Sequence, residues 1–203
     1  MLPLANYGAV AKIDLTMGPD PAKRDVTLDP GWTFTGTVLG QDGKPLGGTR
    51  GFGLGGWDHR QVMQEGEFTV SGFNPHRPHD IFFQHLEKGL VGIAQPPKEN
   101  GGAITVRMQP GAAVTGRLVD ANGRPRRGVE LELRFHQKDR QISWAHYSGE
   151  PIKTDSQGRF RIKSLLAGWE FRLSDDKGEF SFADLRSGQT KDLGDLRMNK
   201  TEK

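Results

Sequence analysis

The sequence predicts an all-β chain of two tandem β-sandwich modules, and three observations carry that prediction. No segment of the 203 residues shows an apolar stripe of 3.6-residue period over a helical length. Several segments instead alternate apolar and polar residues with period 2, the pattern of a strand with one buried face. The chain also matches itself at a fixed offset, which is how a repeated structural unit shows in a sequence. Its 28 glycines and 12 prolines suit strands and turns better than helices.

The self-match opens where Leu28-Asp29-Pro30-Gly31 is echoed by Met108-Gln109-Pro110-Gly111. At a constant offset of 80, Phe34-Thr35-Gly36-Thr37-Val38 lies over Val114-Thr115-Gly116-Arg117-Leu118. The same offset sets Gln41-Asp42-Gly43-Lys44-Pro45 over Ala121-Asn122-Gly123-Arg124-Pro125. Asp42-Gly43 and Asn122-Gly123 are hairpin signals, because both central positions of such a turn tolerate positive φ. A second block, Glu65 to Phe73 over Gln157 to Leu165, matches at an offset of 92, so the second copy carries about 12 added residues. The addition falls between Phe135 and Thr154, in sequence that reads as surface loop, where insertions concentrate.

Each copy then offers a hairpin and a closing strand. In the first, Ile81 to Leu86 runs into the turn Glu87-Lys88-Gly89 and on to Leu90–Ile93, followed by Ala103–Met108. In the second, Glu170–Leu173, the turn Asp175–Gly178 and Glu179–Phe182 precede Asp192–Met198. The modules are therefore expected at 29–109 and 110–203. Gly8-Ala9-Val10-Ala11 and Val26–Pro30 resemble the last two strands of a copy, so 1–28 are expected to be remnant strands of a preceding repeat or a docking segment. On that reading the chain is the C-terminal part of a larger multidomain protein. With 34% hydrophobic residues, each core is modest.

Val129-Glu130-Leu131-Glu132-Leu133-Arg134-Phe135 alternates strictly, and so does Arg159-Phe160-Arg161-Ile162-Lys163. If the two were neighbours, Glu130 and Glu132 would offset Arg159 and Arg161 across the ladder. That adjacency is an expectation for the structure to decide.

The run Val114-Thr115-Gly116-Arg117-Leu118-Val119-Asp120-Ala121-Asn122-Gly123-Arg124-Pro125-Arg126-Arg127-Gly128-Val129, with Thr154-Asp155-Ser156-Gln157-Gly158-Arg159-Phe160-Arg161-Ile162 after it, resembles the carboxypeptidase regulatory-like domain family. The resemblance implies a small seven-stranded immunoglobulin-like (prealbumin-like) sandwich, in tandem here. It covers Pro110 to Met198 well. The first copy matches only Gly36 to Pro45 and Gly66-Glu67-Phe68, lacks the Thr-Asp pair, and replaces the second strand with glycine-rich sequence. The resemblance also implies a non-catalytic accessory or spacer module of extracellular or cell-envelope proteins, partnered by adjacent domains of the same polypeptide. Fold resemblance says little about ligand.

Motifs for chemistry are weak. There is no cysteine, which removes disulfides, thiolate metal sites and a thiol nucleophile. Gly51-Phe52-Gly53-Leu54-Gly55-Gly56 matches the dinucleotide fingerprint in letters, but no amphipathic helix follows it, and the pyrophosphate needs a helix N-terminus. His76 and His79 beside Asp80 lack a recognised zinc spacing. Asp155 and Asp175 read as turn formers through their own backbone. No G-x-S-x-G or H-E-x-x-H occurs. The sequence thus predicts no enzyme, no cofactor, and no catalytic or metal residue.

Two binding features remain. Trp144, His146 and Tyr147 lie in the added loop and form a candidate site for carbohydrate or a protein segment; Trp57 and Trp169 read as core instead. Arg124, Arg126, Arg127, Arg134, Lys138 and Arg140 could mark an anion-binding side, but Glu130, Glu132 and Asp139 dilute it, and a solvated face is the expectation. A net charge of +3 gives no case for nucleic acid, and no apolar run reaches the ~20 residues of a membrane span. The sequence reading is a non-catalytic structural or interaction segment, with a carbohydrate- or peptide-binding module as its rival.

Overall fold

A computed structural model describes residues 30–54, 61–76, 78–136, 145–146 and 151–198. All its regular elements are strands. Two compact units emerge: Met1–Gln84 with Gly92–Met108, and His85–Val91 with Gln109–Lys203.

The first unit contains β1 (Trp32–Leu39), β2 (Thr49–Phe52), β3 (Gln61–Met63), β4 (Glu67–Phe73), most of β5 (Ile81–His85), the end of β6 (Leu90–Ala94), and β7 (Ala103–Arg107). One sheet runs β4-β1-β7, with β4 antiparallel and β7 parallel to β1. The other runs β3-β2-β5-β6. Alternation sets the faces: Phe68 and Val70 point inward from β4, while Glu67, Thr69 and Ser71 are exposed. β5 is buried along its whole length, between β2 and β6. Phe68 and Phe83 meet from the two sheets with ring centroids 5.1 Å apart.

The second unit contains β8 (Gln109–Pro110), β9 (Ala112–Leu118), β10 (Glu130–His136), β11 (Ala145–His146), β12 (Ile152–Lys153), β13 (Arg159–Leu165), β14 (Glu170–Ser174), β15 (Glu179–Phe182) and β16 (Thr190–Leu196). The strand order β13-β9-β16 matches β4-β1-β7, again with the closing strand parallel. β10 pairs β12 on one side and β14 on the other, and β15 follows β14, as in β3-β2-β5-β6. Two short strands go beyond this scheme. β11 pairs β10, and β8 pairs Leu90 and Val91, which belong to this unit.

The glycines shared by the aligned blocks have a steric cause. Gly36 lies opposite Phe68 and Gly116 opposite Phe160, and each ring lies where a Cβ would stand.

Two expectations need correction. β10 and β13 lie in different sheets, so Glu130 and Glu132 do not face Arg159 and Arg161. Period 2 tells which way a side chain points and nothing about the neighbouring strand. The Asp42-Gly43 and Asn122-Gly123 turns place positive φ only at the glycine, 76° and 78°. Gly43 N–H donates to Gly40 O and Gly123 N–H to Asp120 O, so both are type I turns closed by a left-handed glycine.

Candidate functional site

The polar groups of the second unit gather in the loops between β9 and β10, before β13, and between β14 and β15. Asp120 and Asp155 each close the same kind of turn. Asp120 Oδ1 accepts from the N–H groups of Asn122 (2.9 Å) and Arg124 (2.8 Å). Asp155 Oδ1 accepts from Gln157 and Arg159, both at 2.8 Å. The backbone donors hold the Asp120 carboxyl below the ordinary value of 3.8, that of Arg124 foremost, against a desolvation that opposes them.

Thr154 ties the first two loops together. Its buried hydroxyl accepts from Val129 N–H (2.9 Å) and donates to Arg126 O (2.8 Å). Arg126 reaches the third loop, pairing with Asp175, whose side chain is wholly buried, and with Asp176 at 3.2 Å. Asp175 also accepts from the N–H groups of Lys177 and Gly178. Every one of these carboxylates is engaged by backbone donors or by Arg126, so the cluster fastens the loops. Sequence reasoning found the turn role of Asp155 and Asp175 but gave Thr154 no task, and the hydroxyl at the start of the Thr-Asp pair was the available signal.

The interspersed acids answer part of the cationic face of this unit. Arg126 is taken up by Asp175 and Asp176, and Arg134 by Glu132 (3.1 Å) two residues before it on the same face of β10. Lys138 and Arg140 lie outside the described residues.

Trp144 and Tyr147 also lie outside the described residues, and so does Trp57. Of the proposed triplet, only the backbone of His146 is placed, paired with Arg134 through β11. Trp169 is buried against Phe135, with centroids 5.2 Å apart, and fills core as expected. His79 Nε2–H donates to Gly53 O (3.0 Å) and the ring packs on Phe73, whereas His76 is exposed. Among the described residues no three His, Cys, Asp or Glu side chains converge as metal ligands. Gly51 and Phe52 of the G-x-G-x-x-G match lie on β2, which is antiparallel to both β3 and β5, the wrong context for a dinucleotide turn. A shallow hollow of about 510 Å³ on the first unit is lined by the hydroxyls of Thr35, Thr37, Thr69 and Thr105 and the carboxylate of Glu67.

No family model and no curated protein matches the chain. Among solved structures it is similar to a Streptococcal ancillary pilin at 16% identity and TM-score 0.36, over 85% of this chain and 63% of that one. It therefore spans less than two thirds of that pilin. The shaft pilin SpaA from Lactobacillus rhamnosus GG is similar at 11% identity and TM-score 0.34, over 85% of this chain and 98% of that one. The Bacillus anthracis TIE protein is similar at 13% identity and TM-score 0.33, over 85% and 34%. Likeness at this level carries no functional assignment.

Proposed function

We propose that the chain is a non-catalytic structural segment: two copies of one β-sandwich module, at 29–109 and 110–203, in series within a larger multidomain protein. The observation that carries this reading is a local device present in both units. Gly31 packs its backbone on Gly72, and Gly111 packs on Ser164, at equivalent places in strand sets of the same order. The commitment of Asp120, Thr154, Asp155 and Asp175 to loop fastening supports a scaffold role. The resemblance to carboxypeptidase regulatory-like domains adds an extracellular or cell-envelope setting and adjacent domains as partners. Stretching single molecules between the chain ends is the test. Two unfolding events are expected, releasing about 80 and about 90 residues, or roughly 280 and 320 Å of chain; one event releasing the whole length overturns the two-module reading.

The 136–151 loop supports a second reading, binding of a carbohydrate or a peptide through Trp144, His146 and Tyr147. Its support is that the added residues of the second unit supply an extra strand, β11, on β10. A glycan array probed with wild type and Trp144→Ala tests it, and identical profiles remove it.

A further inference from the structure

One strand of the second unit carries charge that its own fold does not answer. β13 ends the sheet β13-β9-β16, and among the described residues only β9 pairs with that edge. Arg159, Arg161 and Lys163 are exposed on its outer face, while Phe160 and Ile162 are buried. Alternate residues of a strand stand about 6.7 Å apart, so the three cations form a straight, evenly spaced row. Among the described residues none of the three side chains has an acidic partner. Arg159 moreover lies directly opposite Arg117, a like-charge pair that weakens a ladder.

The rest of the sheet is balanced. Arg117 is held by Asp195 at 3.2 Å and by Gln157 O, in the turn before β13, at 3.2 Å. Thr115, opposite Arg161, donates to Asp192 at 3.4 Å. Outer-face charge therefore runs from acidic on β16, through answered groups on β9, to unanswered cations on β13. A further strand on the open side of β13 would complete the series only if it brought carboxylates.

The backbone permits such a strand. Leu118 N–H donates to Gly158 O, which turns the even-numbered residues of β13 toward β9 and the odd-numbered ones away. Arg159 spends its N–H and C=O on Asp155. Arg161 and Lys163 then direct theirs to the open edge, up to the bulge at Ser164. Cations do blunt sheet edges against aggregation. Yet β4 takes the same place in the first unit with Glu67, Thr69 and Ser71 outward, so an edge here does not require three cations.

We propose that β13 docks an extended acidic segment of a partner protein, with carboxylates at alternate positions, as an added strand. The row repels a second copy of itself and admits a strand of opposite charge. The chain's own β16 is not the occupant: Asp192 and Asp195 are already engaged, and the bulge at Gly194 (φ 69°) breaks its edge. This goes beyond the structural-segment reading and does not depend on the two-module organisation.

The test uses the full chain and a labelled octapeptide alternating Glu with Thr, read by fluorescence anisotropy. A peptide of equal composition with its Glu residues contiguous serves as comparison. The alternating peptide should bind at least about tenfold more tightly than the contiguous one, and weaken as salt rises. Arg159→Glu/Arg161→Glu/Lys163→Glu should abolish binding, whereas Arg124→Glu/Arg127→Glu/Lys177→Glu, with the same change in net charge, should leave it intact. Both triple variants are checked for unchanged thermal unfolding; if the first fails to fold, amide exchange of wild type decides, since bound peptide should protect Arg161 and Lys163. Failure of the alternating peptide to bind, equal binding of both peptides, or equal competition by a polyuronate overturns the proposal.

Discussion

Gly111 and Ser164 meet backbone to backbone: a Cβ added to Gly111 would stand 2.7 Å from Ser164 Cα and 3.1 Å from Gly89 O. Ser164 is the left-handed residue (φ 57°) of the bulge where β13 slips its register on β9. In the first unit Gly72 (φ 70°) takes that place on β4, and a Cβ on Gly31 would stand 2.7 Å from its carbonyl carbon. A bulge bends its strand toward the partner's first residues, and only glycine leaves room there.

Gly111→Ala should cost about 1–3 kcal/mol, since the opposing atoms are backbone and cannot swing aside. Gly31→Ala should cost more, because Gly31 also holds φ at 68°, which adds about 1–2 kcal/mol for a residue with a Cβ. Urea titrations of the two variants check the order. An alanine tolerated at both positions would mean that the bulges relax away.

The Arg126–Asp175 pair should behave as a buried ion pair, with side-chain exposures of 12% and 0%. Arg126→Met strands a carboxylate away from water and should cost about 3 kcal/mol or more. Asp175→Asn keeps the oxygen that holds Lys177 and Gly178 N–H. The double variant should therefore be more stable than Arg126→Met alone, a non-additivity that a double-mutant cycle reads directly.

Asp120 titrates below 3.8 in the folded chain because backbone N–H donors favour its ionised form. A depressed folded value means the contribution to stability is complete above the unfolded value and is lost as pH falls through the folded one. Asp120→Asn should flatten the loss of stability below about pH 4 relative to wild type. A carboxyl NMR titration of Asp120 with a midpoint at or above 3.8 would contradict this.

Local chemistry was legible in the sequence and long-range pairing was not. Gly43 and Gly123 announce turns because only a few residues accept a left-handed conformation. Val129–Phe135 announces a strand because alternation is a property of the strand alone. What alternation omits is the neighbour: β10 pairs β11, β12 and β14, and not β13. Arg126 looked like a surface charge because its acid lies 49 positions away in sequence. Ser164 gave no sign of a bulge, since serine is an ordinary strand residue until Gly111 is brought against it. Trp144 and Tyr147 fall in the loop that distinguishes the two copies, beyond the described residues.

The two units close the same loop with hydroxyls from different places, Thr154 just after β12 and Thr49 on β2. In the second unit Thr154 Oγ1 donates to Arg126 O at 2.8 Å, and Thr154 O accepts from Gly128 N–H at 3.0 Å. In the first, Met63 O accepts from Gly48 N–H at 2.8 Å, but the Met63 side chain is apolar. The hydroxyl comes instead from buried Thr49 on the facing strand, donating to Leu46 O at 2.9 Å. Thr154→Val keeps the shape but leaves Val129 N–H and Arg126 O without that partner, and should cost about 1–3 kcal/mol. Thr49→Val frees one carbonyl only and should sit near the lower end, about 1 kcal/mol. Amide exchange separates the two. Val129 should exchange faster in Thr154→Val and stay unchanged in Thr49→Val, so equal acceleration in both variants would show that the hydroxyls do not act on their own loops.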